Sequence, residues 1–175
     1  MTTLGLAGID LEPGFAKPAR FADDPVYWPV YERCSQLGVP VCLMTGPTTP
    51  DPRFNDPAPV AAVARAFPKL PILCYHGFWP NVQQALGIAF RYPNVYLVPD
   101  MYLFVAGSTA YVEAANGFLR DQLLFGSSYP FRPIMQSIED FIAAGFSESV
   151  IDRLLFDNAA ALFGLSESGP GNQRT

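Results

Sequence analysis

Charge is scarce in this sequence. Asp, Glu, Lys and Arg make up 15% of its 175 residues, against roughly 25% in ordinary soluble domains. The cations are outnumbered, 11 Lys and Arg against 16 Asp and Glu, and nowhere gather into a stripe. Nucleic-acid binding therefore has no electrostatic footprint here, and neither does docking on an anionic membrane surface. Histidine occurs once, as His76. Cysteine occurs three times, at Cys34, Cys42 and Cys74. That odd, scattered set has neither metal-ligand spacing nor a disulfide framework, and reads as the reduced thiols of a cytoplasmic chain. No apolar run approaches the roughly 18 residues of a membrane span. The opening MTTLGLAGIDLEPG has neither the basic start nor the apolar core of a signal peptide. No GxGxxG follows the first apolar run and no Walker sequence appears, so a nucleotide-binding reading loses its main support.

What is present is apolar. Hydrophobic residues account for 50% and aromatics for 14% of the chain, enough for a sizeable core in one domain. A surface this poor in charge favours a partner or self-association. Short β-rich runs recur at Leu4 to Leu11, Val39 to Met44, Pro71 to Tyr75, Asn94 to Val98 and Gln122 to Phe125. Several are nearly continuous apolar stretches, as parallel strands buried on both faces must be. Helical start signals lie between them. Asp24-Pro25 and Asp56-Pro57 pair a capping carboxylate with a proline at the first helical position. Trp79-Pro80 precedes NVQQALGIAF, Ser147 precedes SVIDRLLF, and Asn158 precedes AAALFGL. Pro29 predicts that the first helix is kinked or begins later. Repeated strand, helix, strand units predict an α/β fold with a parallel sheet and right-handed crossovers. About five units suit either an open doubly wound sheet or five-eighths of an eight-stranded barrel.

In both architectures ligands sit at the carboxyl ends of the strands. The residues there are Glu12, Met44-Thr45, His76, Asp100 and Ser128, each beside glycine, proline or a turn-like stretch. They are expected to ring one shallow mouth. His76 follows the apolar ILCY and is the candidate acid, base or metal ligand; a satisfied polar histidine is the bland alternative. Asp100 and Glu12 are candidate paired carboxylates, or otherwise turn ligands. Tyr75, Trp79, Tyr129 and their aromatic neighbours either pack the loops or form a pocket for a flat substrate.

Several stretches resemble, in order, the amidohydrolase-related family of metal-dependent TIM-barrel hydrolases and decarboxylases. They are YWPVYERCSQLGVPVCLMTG, FPKLPILCYHGFWPNVQQALGIAFRYPNVYL, LLFGSSYPF and DNAAALFGL. The resemblance implies a partial (β/α)8 TIM-like barrel, about strands 4 to 8, over residues 1–165; the polar run SESGPGNQRT reads by its composition as a disordered tail over 166–175. The resemblance places the family's sixth-strand histidine ligand on His76. The fifth-strand histidine falls on Met44 and the eighth-strand aspartate on Ser128. A divalent metal such as zinc is implied by the family, yet a catalytic zinc needs about three protein ligands. A thioether and a neutral hydroxyl are poor substitutes, so no cofactor is expected from this chain alone.

The function so implied is hydrolysis or decarboxylation of a small carboxylated or aromatic compound. His76 and Asp100 would be catalytic, and Glu12, Met44, Tyr75, Trp79, Ser128 and Tyr129 would bind substrate. The alternative is an inactive relative serving as a binding module or partner subunit. Open sheet edges further predict a homo-oligomer, or a separate chain that supplies the missing strands.

Overall fold

Val41–Met44, Ile72–Tyr75 and Val95–Val98 are apolar throughout and must be covered on both faces. The computed structural model, which describes residues 5–165, makes them β2, β3 and β4 of one parallel sheet. Ile9–Leu11 forms β1 at its edge, giving the order β1-β2-β3-β4. Val41, Leu43, Ile72, Cys74, Val95 and Leu97 join the large core beneath the helices. The alternate residues Cys42, Leu73 and Val98 face the other way, with Leu124 beside them and Ala159, Leu162 and Phe163 packed over them. The period-2 alternation of a strand thus sorts one apolar run into two separate cores.

Two predicted strands are shorter than their apolar runs. The first pairs only from Ile9, whose N–H reaches Pro40 O at 3.2 Å. Pro40 has no N–H to extend the ladder backwards. The run Gln122 to Phe125 forms a single parallel bridge, Leu97 with Leu123, rather than a fifth strand. The bridge consists of Leu97 N–H to Gln122 O at 2.8 Å and Leu124 N–H to Leu97 O at 3.0 Å, while the Phe125 N–H points to the opposite side, to Leu154 O at 2.9 Å. The predicted tail over 166–175 lies outside the described residues.

The helices are α1 Trp28–Leu37, α2 Ala58–Ala66, α3 Val82–Arg91, α4 Thr109–Ala115, α5 Ile134–Ile142, α6 Glu148–Asp152 and α7 Asn158–Phe163. Asp24 accepts the Val26 N–H at 3.0 Å and opens the short turn Pro25–Tyr27 ahead of α1. Pro29 therefore falls in the first turn of α1, where its missing N–H costs nothing. Asp56 accepts the Ala58 N–H at 2.9 Å and starts α2. Two predicted caps differ. Ser147 precedes α6 but bonds Ser149 Oγ instead of a helix amide. Asn158 lies inside a continuous helix, because a π turn over Arg153–Asp157 joins α6 to α7. Its amide donates instead to Arg120 O at 2.8 Å and Leu123 O at 2.9 Å. α4 and α5 carry no cap signal strong enough to be read from sequence.

The amino-terminal side of the sheet is tied by amides. Asn94 Nδ2 donates to Phe67 O at 3.0 Å and Leu70 O at 2.9 Å, with Ala64 O at 3.4 Å. Replacing Asn94 by alanine leaves these carbonyls without that donor. The expected loss is about 1–3 kcal/mol, read as a lower urea midpoint at unchanged slope. All three cysteines are free and buried. No helix among the described residues is long and apolar enough to cross a membrane.

Candidate functional site

Parallel strands end on one side, so the residues that follow them must meet there. Met44 closes β2, His76 follows β3, Asp100 lies just beyond β4 and Ser128 lies beyond the Leu123 bridge. Met44, Tyr75, His76, Asp100, Ser128 and Tyr129 line one pocket of about 370 Å³. Glu12 does not join them: it lies exposed beyond β1, and Asp100 takes His76 rather than Glu12 as its partner. Trp79 is also outside the lining. It stacks on Tyr102 at 5.5 Å, while its indole N–H donates to Ala106 O at 3.0 Å, so it buttresses Tyr102. A wider groove of about 550 Å³ between α3 and α4 is lined by Phe90 and Phe118, with Glu113 its one titratable residue.

The chemistry concentrates on His76 and Asp100. Asp100 Oδ2 accepts from His76 Nδ1 at 2.7 Å and from the His76 backbone N–H at 3.2 Å. An ionised carboxylate only accepts, so the neutral ring carries its proton on Nδ1 and keeps Nε2 unprotonated. The two side chains are 15% and 7% exposed, so bulk water is largely excluded from their contact. Asp100 Oδ1 is buried and has no hydrogen-bond partner among the described residues. Tyr102 sets its ring edge-on to the imidazole at 5.1 Å. Burial above all, and then a bond to the Cys42 thiol, push the Tyr75 phenol well above its ordinary range. Burial, then the Asp100 charge, raise Tyr102 as well. Both phenols remain neutral O–H donors. Burial also raises Cys42, so its thiol is not an activated nucleophile.

The backbone marks the same place. Among the described residues, the non-glycine residues with left-handed φ are His76 at 61°, Phe78 at 66°, Asp100 at 45° and Ser128 at 56°. His76, Asp100 and Ser128 all line the pocket. Such conformations cost about 1–3 kcal/mol each and persist where the surroundings enforce them. Ser128 Oγ accepts the Met101 N–H at 3.1 Å and so fastens the loop after Asp100. Asn55 and Tyr111, which hold the turn at His76, were not visible in the sequence. They lie away from strand ends and their contacts span 23 to 34 residues.

The sequence profile of the amidohydrolase family matches residues 1–165. Among solved structures, a TIM-barrel protein from Bordetella bronchiseptica is similar at 37% identity with a TM-score of 0.89, over 93% of this chain and 59% of that one. A dihydroxybenzoic acid decarboxylase from Polaromonas, solved with bound manganese and the inhibitor 2-nitroresorcinol, is similar in fold at 20% identity. Its TM-score is 0.67, over 94% of this chain and 62% of that one. Dihydroorotase from Campylobacter jejuni is similar in fold at 18% identity with a TM-score of 0.71, over 94% of this chain and 60% of that one. No curated protein gives a match. The chain thus spans between 59% and 62% of the length of these structures, and its parallel sheet with outer helices is part of a (β/α)8 barrel.

Proposed function

The chain belongs to the amidohydrolase family, and from that premise we propose that the pocket around His76 binds a small, flat, carboxylated aromatic compound and releases carbon dioxide from it. The observation that carries this reading is the bond from His76 Nδ1 to Asp100 Oδ2 at 2.7 Å, which leaves Nε2 as the ring nitrogen available to a ligand. In the proposed step Nε2 first takes a proton from solvent, and the ring carbon bearing the carboxylate then takes that proton from the imidazolium. The carbon–carbon bond to the carboxylate breaks, and its electron pair stays on the ring carbon as the new C–H bond. His76 ends neutral with Nδ1–H still on Asp100. Loss of carbon dioxide needs one proton donor, which the pocket supplies, and no second carboxylate to activate water.

The wall favours the same direction. Val98, Met44 and Tyr75 face the pocket. The nearby cation Arg132 is engaged by Asp140 and lies over the Phe104 ring at 4.4 Å. A carboxylate held against apolar side chains loses hydration, and conversion to neutral carbon dioxide relieves that cost.

The side chains that this chain brings to the pocket support a reading in which they do not hold a divalent metal by themselves. Met44 offers a neutral thioether, Ser128 a hydroxyl bonded to Met101, and the His76 ring is tied to Asp100. Among the described residues no three His, Cys, Asp or Glu side chains come together, where a catalytic site uses about three protein ligands. The reading therefore gives the proton to the His76–Asp100 pair.

Dihydroxybenzoic acids test the proposal. Carbon dioxide and the decarboxylated phenol should appear in equal amounts, and the rate should be unchanged after exhaustive treatment with a chelator. 2-Nitroresorcinol should compete and should shift the His76 ring signals. An absence of product across the set, with unmoved His76 signals, would sink the proposal; a rate abolished by the chelator would move the chemistry to a metal.

A further inference from the structure

Three consecutive residues, His76, Gly77 and Phe78, have φ of 61°, 58° and 66°. Glycine adopts this freely, whereas a residue with Cβ does not, so His76 and Phe78 need something to hold them there. We infer that the Thr45 hydroxyl is the positioning group that closes this turn and thereby aims the His76 imidazole, an inference that rests on His76 as the proton carrier. Thr45 follows β2 and is 3% exposed. Its Oγ1 donates to Tyr75 O and accepts the Phe78 N–H at 3.1 Å. Tyr75 immediately precedes His76, and Phe78 follows two residues later, so one oxygen spans the bend from both sides.

The surroundings reinforce this clip. Asn55 is 2% exposed. It accepts the Gly46 N–H on Oδ1 at 2.5 Å and donates from Nδ2 to Trp79 O at 2.9 Å. Tyr111 donates its hydroxyl to Gly77 O at 2.9 Å. The His76 N–H and Nδ1 both point to Asp100 Oδ2 from this one bend. If the bend relaxes, both contacts weaken together and the ring loses its fixed tautomer. Valine fills nearly the same volume with neither donor nor acceptor, so it separates the hydroxyl's hydrogen bonds from the shape of the side chain.

His76 is the only histidine, so ring-nitrogen spectra of ¹⁵N-histidine-labelled protein report one imidazole. They are recorded at a single pH high enough to keep that ring neutral. The unaltered chain should show the Nδ1–H form. Thr45→Val should show a mixture of tautomers and a rate of carbon dioxide release lowered about 10- to 100-fold, chiefly in kcat. Thr45→Ser, which retains the hydroxyl, should restore both. Should Thr45→Val fail to fold, Thr45→Ala removes the same hydroxyl without the added methyl and carries the same expectation. Unaltered nitrogen shifts in the valine or alanine variant would overturn the inference, and so would a serine variant that behaves like valine. Full turnover after loss of the imidazole would instead overturn the role of His76, while the nitrogen shifts in the Thr45 variants still report the clip.

Discussion

His76→Asn lowers carbon dioxide release about 10²- to 10⁴-fold, the range expected when a positioned acid or base is removed, while the chain still folds. Asparagine suits the position for two reasons. It tolerates the left-handed backbone better than most residues with a Cβ, and His76 has φ of 61°. Its side-chain amide also keeps a donor for Asp100 Oδ2, which otherwise retains only the His76 N–H at 3.2 Å. Alanine would confound the test by leaving the buried carboxylate short of a partner. What asparagine lacks is a nitrogen that takes up and gives up a proton near neutral pH. Progress curves with a dihydroxybenzoic acid, beside thermal unfolding of the same samples, separate the two effects. Turnover within a factor of about two of the unaltered chain would remove His76 from the reaction, since general acid–base catalysis contributes far more than that.

The sequence revealed the sheet better than the helices because the two signals differ in reach. Val41–Met44, Ile72–Tyr75 and Val95–Val98 are short, apolar and bounded by turn residues, and each became a buried parallel strand. Strand ends then located Met44, His76, Asp100 and Ser128 around one pocket. Glu12 obeyed the same rule but stayed outside, because β1 is the edge strand and the lining comes from β2, β3, β4 and the chain after them. Trp79 stayed outside the lining for another reason: an aromatic residue near a strand end can serve the pocket or support an aromatic beside it, and here it stacks on Tyr102, which in turn meets the His76 ring. The His76–Asp100 pair spans 24 residues, and the Thr45 contact with Phe78 spans 33. Nothing local encodes either distance. The positive φ of His76, Asp100 and Ser128 is equally silent in sequence, since only glycine announces such a conformation.

One substitution at two glycines should give opposite signs. Gly46→Ala is expected to lower stability by about 2–5 kcal/mol, from the left-handed penalty and overpacking together. Gly46 has φ of 105°, and an added Cβ would meet His76 Cβ at 2.7 Å and the imidazole Cδ2 at 3.3 Å. Gly87 lies in the middle of α3, where an added Cβ meets nothing within 4 Å. Gly87→Ala should therefore raise stability by about 0.5–1 kcal/mol, because alanine loses less backbone freedom in a helix. Urea midpoints at unchanged slope report both values. The Gly46 result has a second reading, since its Cβ can be accommodated only by moving its own backbone or the His76 side chain. Moving the backbone strains the 2.5 Å bond from Gly46 N–H to Asn55. Moving the imidazole breaks its alignment with Asp100. In either case stability and turnover fall together, whereas Gly87→Ala leaves the rate untouched. Equal midpoints for Gly46→Ala and the unaltered chain would mean that the loop after β2 does not press on His76, and the packing that aims the ring would have to lie elsewhere.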